Sequence, residues 1–252
     1  MDLFRDRYER VGSGTKACCS HKIPEVPGAD EMTFQVCLVG SDGFVLASDT
    51  KTAHHEGIRV TSHTPKIQIQ GNLTWAVAGY DVADQASRIL VEKMKLANDG
   101  NIEHLLESSG REAWERFSKD KPTERGTLTV AQAAPVRLWM LDVDSASRCT
   151  PVGDKVFAGD DRNSAVYFPE FYYKPNTKTT DLVFLAALTV LAAGHLNPTF
   201  VDGLEIAVGR NGKIEKLPKT EIARLENRSL AFHADVGDRL FHADNNSPIV
   251  QA

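Results

Sequence analysis

The sequence predicts an α+β fold in which two mainly antiparallel sheets stack together and helices cover both outer faces. Three observations predict it. Alternating polar and apolar runs come in pairs joined by Gly-containing turns, as in antiparallel hairpins. Two amphipathic helical patterns fall between the strand pairs. A longer, almost wholly apolar helix precedes a last hairpin, which calls for a buried helical layer.

Taken in order, residues 1–31 are polar, carry Gly12, Gly14, Pro24 and Pro27, and read as a flexible extension. A strand over 33–39 alternates Phe34, Val36 and Leu38 with Gln35, Cys37 and Val39. Ser41-Asp42-Gly43 turns the chain into an apolar strand over 44–47, which ends at Ser48-Asp49. The polar stretch 50–64 reads as a solvated connection turning at Gly57. Its neighbours His54 and His55 would face opposite ways on a strand and so share no metal easily. Strands over 66–70 and 73–77 form a hairpin about Gly71-Asn72. Helices follow over 81–97, stopped by Asn98-Asp99-Gly100, and over 102–118, weakened at Gly110. Strands over 127–133, 136–143 and 155–158 come next, the last leading into Gly159-Asp160. The apolar helix covers 182–195. Strands over 204–208 and 213–217 pair about Arg210-Asn211-Gly212, and a short helix covers 221–227. The expected organisation is an extension over 1–31, one domain over 32–230 and a loosely ordered C-terminal tail over 231–252.

Composition narrows the function classes. A net charge of -5 argues for neither a nucleic-acid binder nor a membrane-surface protein. The four cysteines, Cys18, Cys19, Cys37 and Cys149, show no metal-ligand spacing and no disulfide framework, which fits a reducing cytoplasm. Arg5, Arg7 and Arg10 are followed by no apolar stretch, so no secretory signal is read. The longest apolar run, 182–193, is short for a membrane span and is interrupted by Thr189. No cofactor and no metal site is expected.

Chemistry concentrates at the first hairpin. Thr33 follows Met32; as a first residue it would carry a hydroxyl and a free α-amine together. A free α-amine has a pKa near about 8 and can serve as base for its own hydroxyl. Lys66, opening the third strand, would lower that pKa and stabilise developing negative charge. Asp49 would hold the lysine charged and in place.

These residues resemble a known family. Thr33 opening a strand, Asp42-Gly43-Phe44-Val45-Leu46-Ala47-Ser48-Asp49, Lys66-Ile67, and Ala76-Val77-Ala78-Gly79 before a helix occur in the order found in proteasome-type β subunits, which are N-terminal-nucleophile hydrolases. The resemblance covers residues 32–217, with the Thr33 to Lys66 spacing one residue longer than the family's. It implies a four-layer αββα sandwich and a threonine-type peptidase acting on peptides or unfolded proteins. It further implies assembly into a homo- or hetero-oligomeric ring. It carries the catalytic roles onto Thr33, Asp49 and Lys66, with the Gly79 amide facing the oxyanion, and it puts Ala53, Gln68 and Gly79 near the specificity pocket.

Three departures accompany it. Met32 stands where family propeptides end in Gly, which favours an initiator methionine at Met32 over a processed propeptide; a permanent extension is the third explanation. Asp160 stands where the family has a Ser that supports the amine, so its carboxylate is a possible substitute. Pro198 and Val201 stand where the family has an Asp and a Ser, with Asn197, Thr199 and Asp202 nearby. A catalytically silent structural subunit and an amidase acting on a non-peptide amide therefore stay open as alternatives.

Overall fold

The computed structural model describes residues 33–56, 58–96, 101–117, 124–160 and 162–241, with residues 53–56, 58–61 and 241 described by backbone alone. The expected extension over 1–31, with Cys18 and Cys19, lies outside the described residues, as do Met32 and Gly57.

The chain is α+β, and its sheets are antiparallel. Strands β1 (Phe34–Gly40) and β2 (Gly43–Ser48) form the first hairpin, and β3 (Lys51–Glu56) and β4 (Ile58–His63) the second. Then come β5 (Ile67–Gln70), β6 (Leu73–Gly79), helices α1 (Asp81–Leu96) and α2 (Ile102–Phe117), β7 (Gly126–Ala133), β8 (Val136–Val143), β9 (Arg148–Val152) and β10 (Lys155–Gly159). A 3-10 turn over Ser164–Val166 leads to α3 (Tyr167–Tyr172) and α4 (Thr179–Leu196). The chain continues through β11 (Glu205–Arg210), β12 (Lys213–Lys216) and α5 (Lys219–Phe241). One sheet has the order β10-β1-β2-β11-β12, a second has β5-β6-β7-β8-β9, and β3-β4 stand as a separate ribbon.

Strand periodicity sorts the side chains into three cores. Phe34, Val36 and Leu38 of β1 pack with Leu182, Ala186 and Val190 of α4. Trp139, Leu141 and Val143 of β8 pack with Ala86, Leu90 and Leu106 of α1 and α2. The alternate residues meet between the two larger sheets: Cys37, Phe44 and Leu46 from one, and Ile67, Ala76 and Leu138 from the other. Helix α4 is long and apolar enough to cross a bilayer by length and composition, yet half of it is buried inside the protein.

Several elements differ from expectation for physical reasons. The polar stretch 50–64 is a hairpin rather than a connection, since Thr52, Ile58, Val60 and Thr61 are β-branched and suit extended backbone. Strand β9 was not expected: it is short, mostly exposed and contains Pro151, so it carries no alternating signal. Helix α5 runs far beyond 227 and crosses position 230. It is sustained by packing, with the Phe232 ring edge-on to Phe168 and Phe184 and the Arg228 guanidinium 3.8 Å above the Phe184 ring.

The turn between β1 and β2 also fixes α4. Lys178, at the helix N-cap, offers no side-chain hydrogen bond, and the Thr179 amide instead donates to Asp42 Oδ1 at 2.8 Å. That bond lowers the Asp42 carboxyl from its ordinary range. Asp42→Ala should cost about 1 kcal/mol, seen as a lower Tm, while Asp42→Asn keeps most of the stability. A depressed carboxyl stabilises above its unfolded pKa and ceases to do so as pH falls through the folded value. The Tm gap between wild type and Asp42→Ala should therefore close in acid.

Candidate active site

Antiparallel pairing brings the chemistry to one end of the β10-β1-β2-β11-β12 sheet. Gln35 of β1 lies opposite Ser48 of β2, so Thr33, just before β1, is placed beside Asp49, just after β2. Asp49 is fully buried. Its carboxylate accepts from the Phe34 amide at 2.9 Å and the Lys51 amide at 3.0 Å. Burial pushes the Asp49 carboxyl up from the ordinary carboxylate range, while the Lys66 ammonium and the two amides oppose that shift.

Lys66 arrives from the other sheet, immediately before β5. Its Nζ lies 3.0 and 2.9 Å from the two Asp49 carboxylate oxygens and donates to Thr33 Oγ1 at 2.8 Å. The Thr33 side chain is itself almost wholly buried. A hydroxyl held by an ammonium that is held in turn by a buried carboxylate can be oriented, and charge arising on it can be stabilised. So the structure brings Thr33, Asp49 and Lys66 into one hydrogen-bonded cluster.

Gly79 ends β6, two residues past Val77, whose amide donates to the Lys66 carbonyl at 3.4 Å. Its φ is +94°, and a Cβ there would meet the Arg125 carbonyl at 2.7 Å, so glycine is required. Gly79 is thus linked to the cluster through β5–β6 pairing.

Asp160 touches Thr33 through its backbone: the Asp160 amide donates to the Thr33 carbonyl at 2.8 Å. Its carboxylate Oδ2 accepts from Asn163 Nδ2 at 3.0 Å and Asn197 Nδ2 at 3.3 Å. Asn197 therefore reaches the site at α4's C-cap. Pro198 contributes only its carbonyl, which accepts from Lys51 Nζ at 2.6 Å, and Val201 is buried. Gln68 is exposed on β5, and the side chains of Ala53, His54 and His55 lie outside those described. His63 Nδ1 lies 3.0 Å from Thr50 Oγ1.

Two residues escaped the sequence reading of the site. Asn163 lies in a loop with no periodicity to expose it. Glu205 accepts from the backbone of Lys66 and Ile67. Its signal was legible, a lone carboxylate within the otherwise apolar run 204–208.

No family model and no curated protein matches the sequence. Solved structures do match in fold. Anbu from Hyphomicrobium sp. strain MC1 aligns with a TM-score of 0.62 at 11% identity, over 85% of this chain and 99% of that one. A structure described as the Anbu (Gly-1) mutant from the same strain gives 0.63 at 12%, over 85% and 99%. Anbu from Yersinia bercovieri, described as an ancestral beta-subunit, gives 0.64 at 13%, over 82% and 97%. These comparisons correct the resemblance read from the motifs: the fold is shared with Anbu proteins, rather than marking the chain as a proteasome-type β subunit. At this identity the likeness concerns the fold alone.

Proposed function

We propose that this protein is a threonine-type peptidase that hydrolyses peptide bonds through Thr33 as the first residue of the mature chain. One observation carries the reading: the Lys66 ammonium sits 2.8 Å from the Thr33 hydroxyl while both oxygens of buried Asp49 hold it. The likeness to Anbu, described in one case as an ancestral beta-subunit, supports it at the level of fold. On this reading the Thr33 hydroxyl attacks the scissile carbonyl and passes its proton to the α-amine of the same residue. The Gly79 amide and the Lys66 ammonium stabilise the oxyanion. Collapse forms an acyl ester on Thr33 and releases the amine product with that proton. Water, deprotonated by the same α-amine, then cleaves the ester.

The proposal includes peptides or unfolded proteins as substrate, stacking of the three cores as a four-layer αββα sandwich, assembly into a homo- or hetero-oligomeric ring, and a cytoplasmic setting. A second reading, a silent structural subunit on the same fold, is favoured by Pro198 and Val201, which bring no side-chain hydrogen-bond donor to the site. Turnover of fluorogenic peptides separates the two. Thr33→Ala should abolish turnover of the wild-type protein while leaving Tm nearly unchanged. Equal turnover in both proteins removes the peptidase reading.

A further inference from the structure

Lys66 is fixed at both ends. Its Nζ is held by Asp49, and its backbone is held by Glu205, which opens β11 opposite Ser48. The Glu205 side chain, 13% exposed, reaches from its own sheet to β5, the edge strand of the other. There Oε2 accepts the amides of Lys66 and Ile67, each at 2.9 Å. Oε1 pairs with Lys216 Nζ from β12, and the same ammonium donates to the Ile67 carbonyl at 2.5 Å. An edge strand offers backbone groups with no neighbouring strand to bind them, and here one carboxylate and one ammonium take that place. Two consecutive amides converging on a single oxygen leave little freedom at the residue that carries the Nζ.

We propose that Glu205, backed by Lys216, is a positioning residue that sets where the Lys66 ammonium stands relative to the Thr33 hydroxyl. The catalytic part of this proposal rests on the Thr33 reading above; the clamp on β5 does not. Asp49 anchors the tip of a long, flexible side chain, and Glu205 anchors its root. Together they define a fixed span between the sheets, with the nucleophile at its end.

The test uses the full chain carrying Glu205→Ala, Glu205→Gln or Lys216→Met. Two readouts need no turnover. Amide hydrogen exchange at residues 66–67 should quicken roughly tenfold in Glu205→Ala, while exchange across β7 and β8 stays as in wild type. Acetylation of Lys66 by acetic anhydride, measured against exposed Lys219, should rise several-fold in the same variant. Glu205→Gln keeps an acceptor oxygen and should fall between. Where the wild type turns over peptide, kcat should drop about tenfold or more in Glu205→Ala with KM little changed, as for other groups that orient a reacting side chain. Unchanged exchange and labelling at Lys66 in Glu205→Ala would overturn the clamp. Faster exchange with wild-type kcat would overturn its positioning role. If Glu205→Ala does not fold, the same readouts on Glu205→Gln and Lys216→Met decide. A wild type without turnover defeats the Thr33 reading, and the exchange and labelling results still judge the clamp.

Discussion

Lys66→Met is expected to lower peptide turnover by about 10²–10³-fold, the scale seen when one group stabilising a developing oxyanion is removed. It should also destabilise the fold. Asp49 is fully buried and Lys66 is 10% exposed, so removing the cation leaves a carboxylate out of water with only backbone amides for partners. Breaking a buried pair from one side costs about 3–5 kcal/mol. Burial already raises the Asp49 carboxyl with the lysine present, and without it the rise is greater. A carboxyl raised by folding favours the folded state below its unfolded pKa, and that advantage is lost as pH rises through the folded value. Lys66→Met should therefore lie closest to wild-type stability in acid and fall away towards neutral pH. Adding Asp49→Asn should recover much of the Tm but none of the turnover. Thermal melts at several pH values with a peptide assay check both halves.

Gly159→Ala is expected to cost about 2–4 kcal/mol, enough to lower Tm by about 10 °C in a domain of this size. Gly159 has a φ of +83°, and a Cβ on it would stand 1.7 Å from the Thr33 carbonyl oxygen. Neither backbone can yield cheaply. Gly159 pairs with Phe34, and the next amide, from Asp160, is already bound to that same carbonyl. The substitution must push the start of β1 away from β10, and Thr33 moves with it, so turnover falls together with stability. Gly71 supplies the control. Its φ of +60° is similarly left-handed, but a Cβ there meets nothing within 4 Å. Gly71→Ala should cost only the conformational term of about 1–2 kcal/mol and leave turnover intact.

The residues of the cluster were legible because each sits at the end of a strongly patterned strand. Thr33 and Asp49 bracket the β1–β2 hairpin, and Lys66 leads into the β5–β6 hairpin, so local pairing rules were enough to place them at strand ends. The α+β class followed from the order of the elements. The second layer was legible only in part: Asn197 stood out as a nearby polar residue and Glu205 as a lone carboxylate in an apolar run, but not what either one touches. Asn163 and Asn197 reach Asp160 from a loop and from a helix end, and Glu205 crosses between sheets. Such contacts depend on how elements pack, which periodicity does not encode. Helix α5 shows the same limit from another side: its polar run reads as tail, yet past Asn227 it packs the Phe232 ring edge-on to Phe168 and Phe184 and pairs Arg239 with Asp235. The family assignment was corrected too: the solved structures reported above as sharing this fold are Anbu proteins, at 11–13% identity.

The most direct test is the intact mass and N-terminal sequence of the protein purified from its native source. The proposed mechanism predicts a chain whose first residue is Thr33, with its amine free. A chain that keeps residues 1–32 ahead of that threonine locks the nitrogen in a peptide bond, and contradicts it.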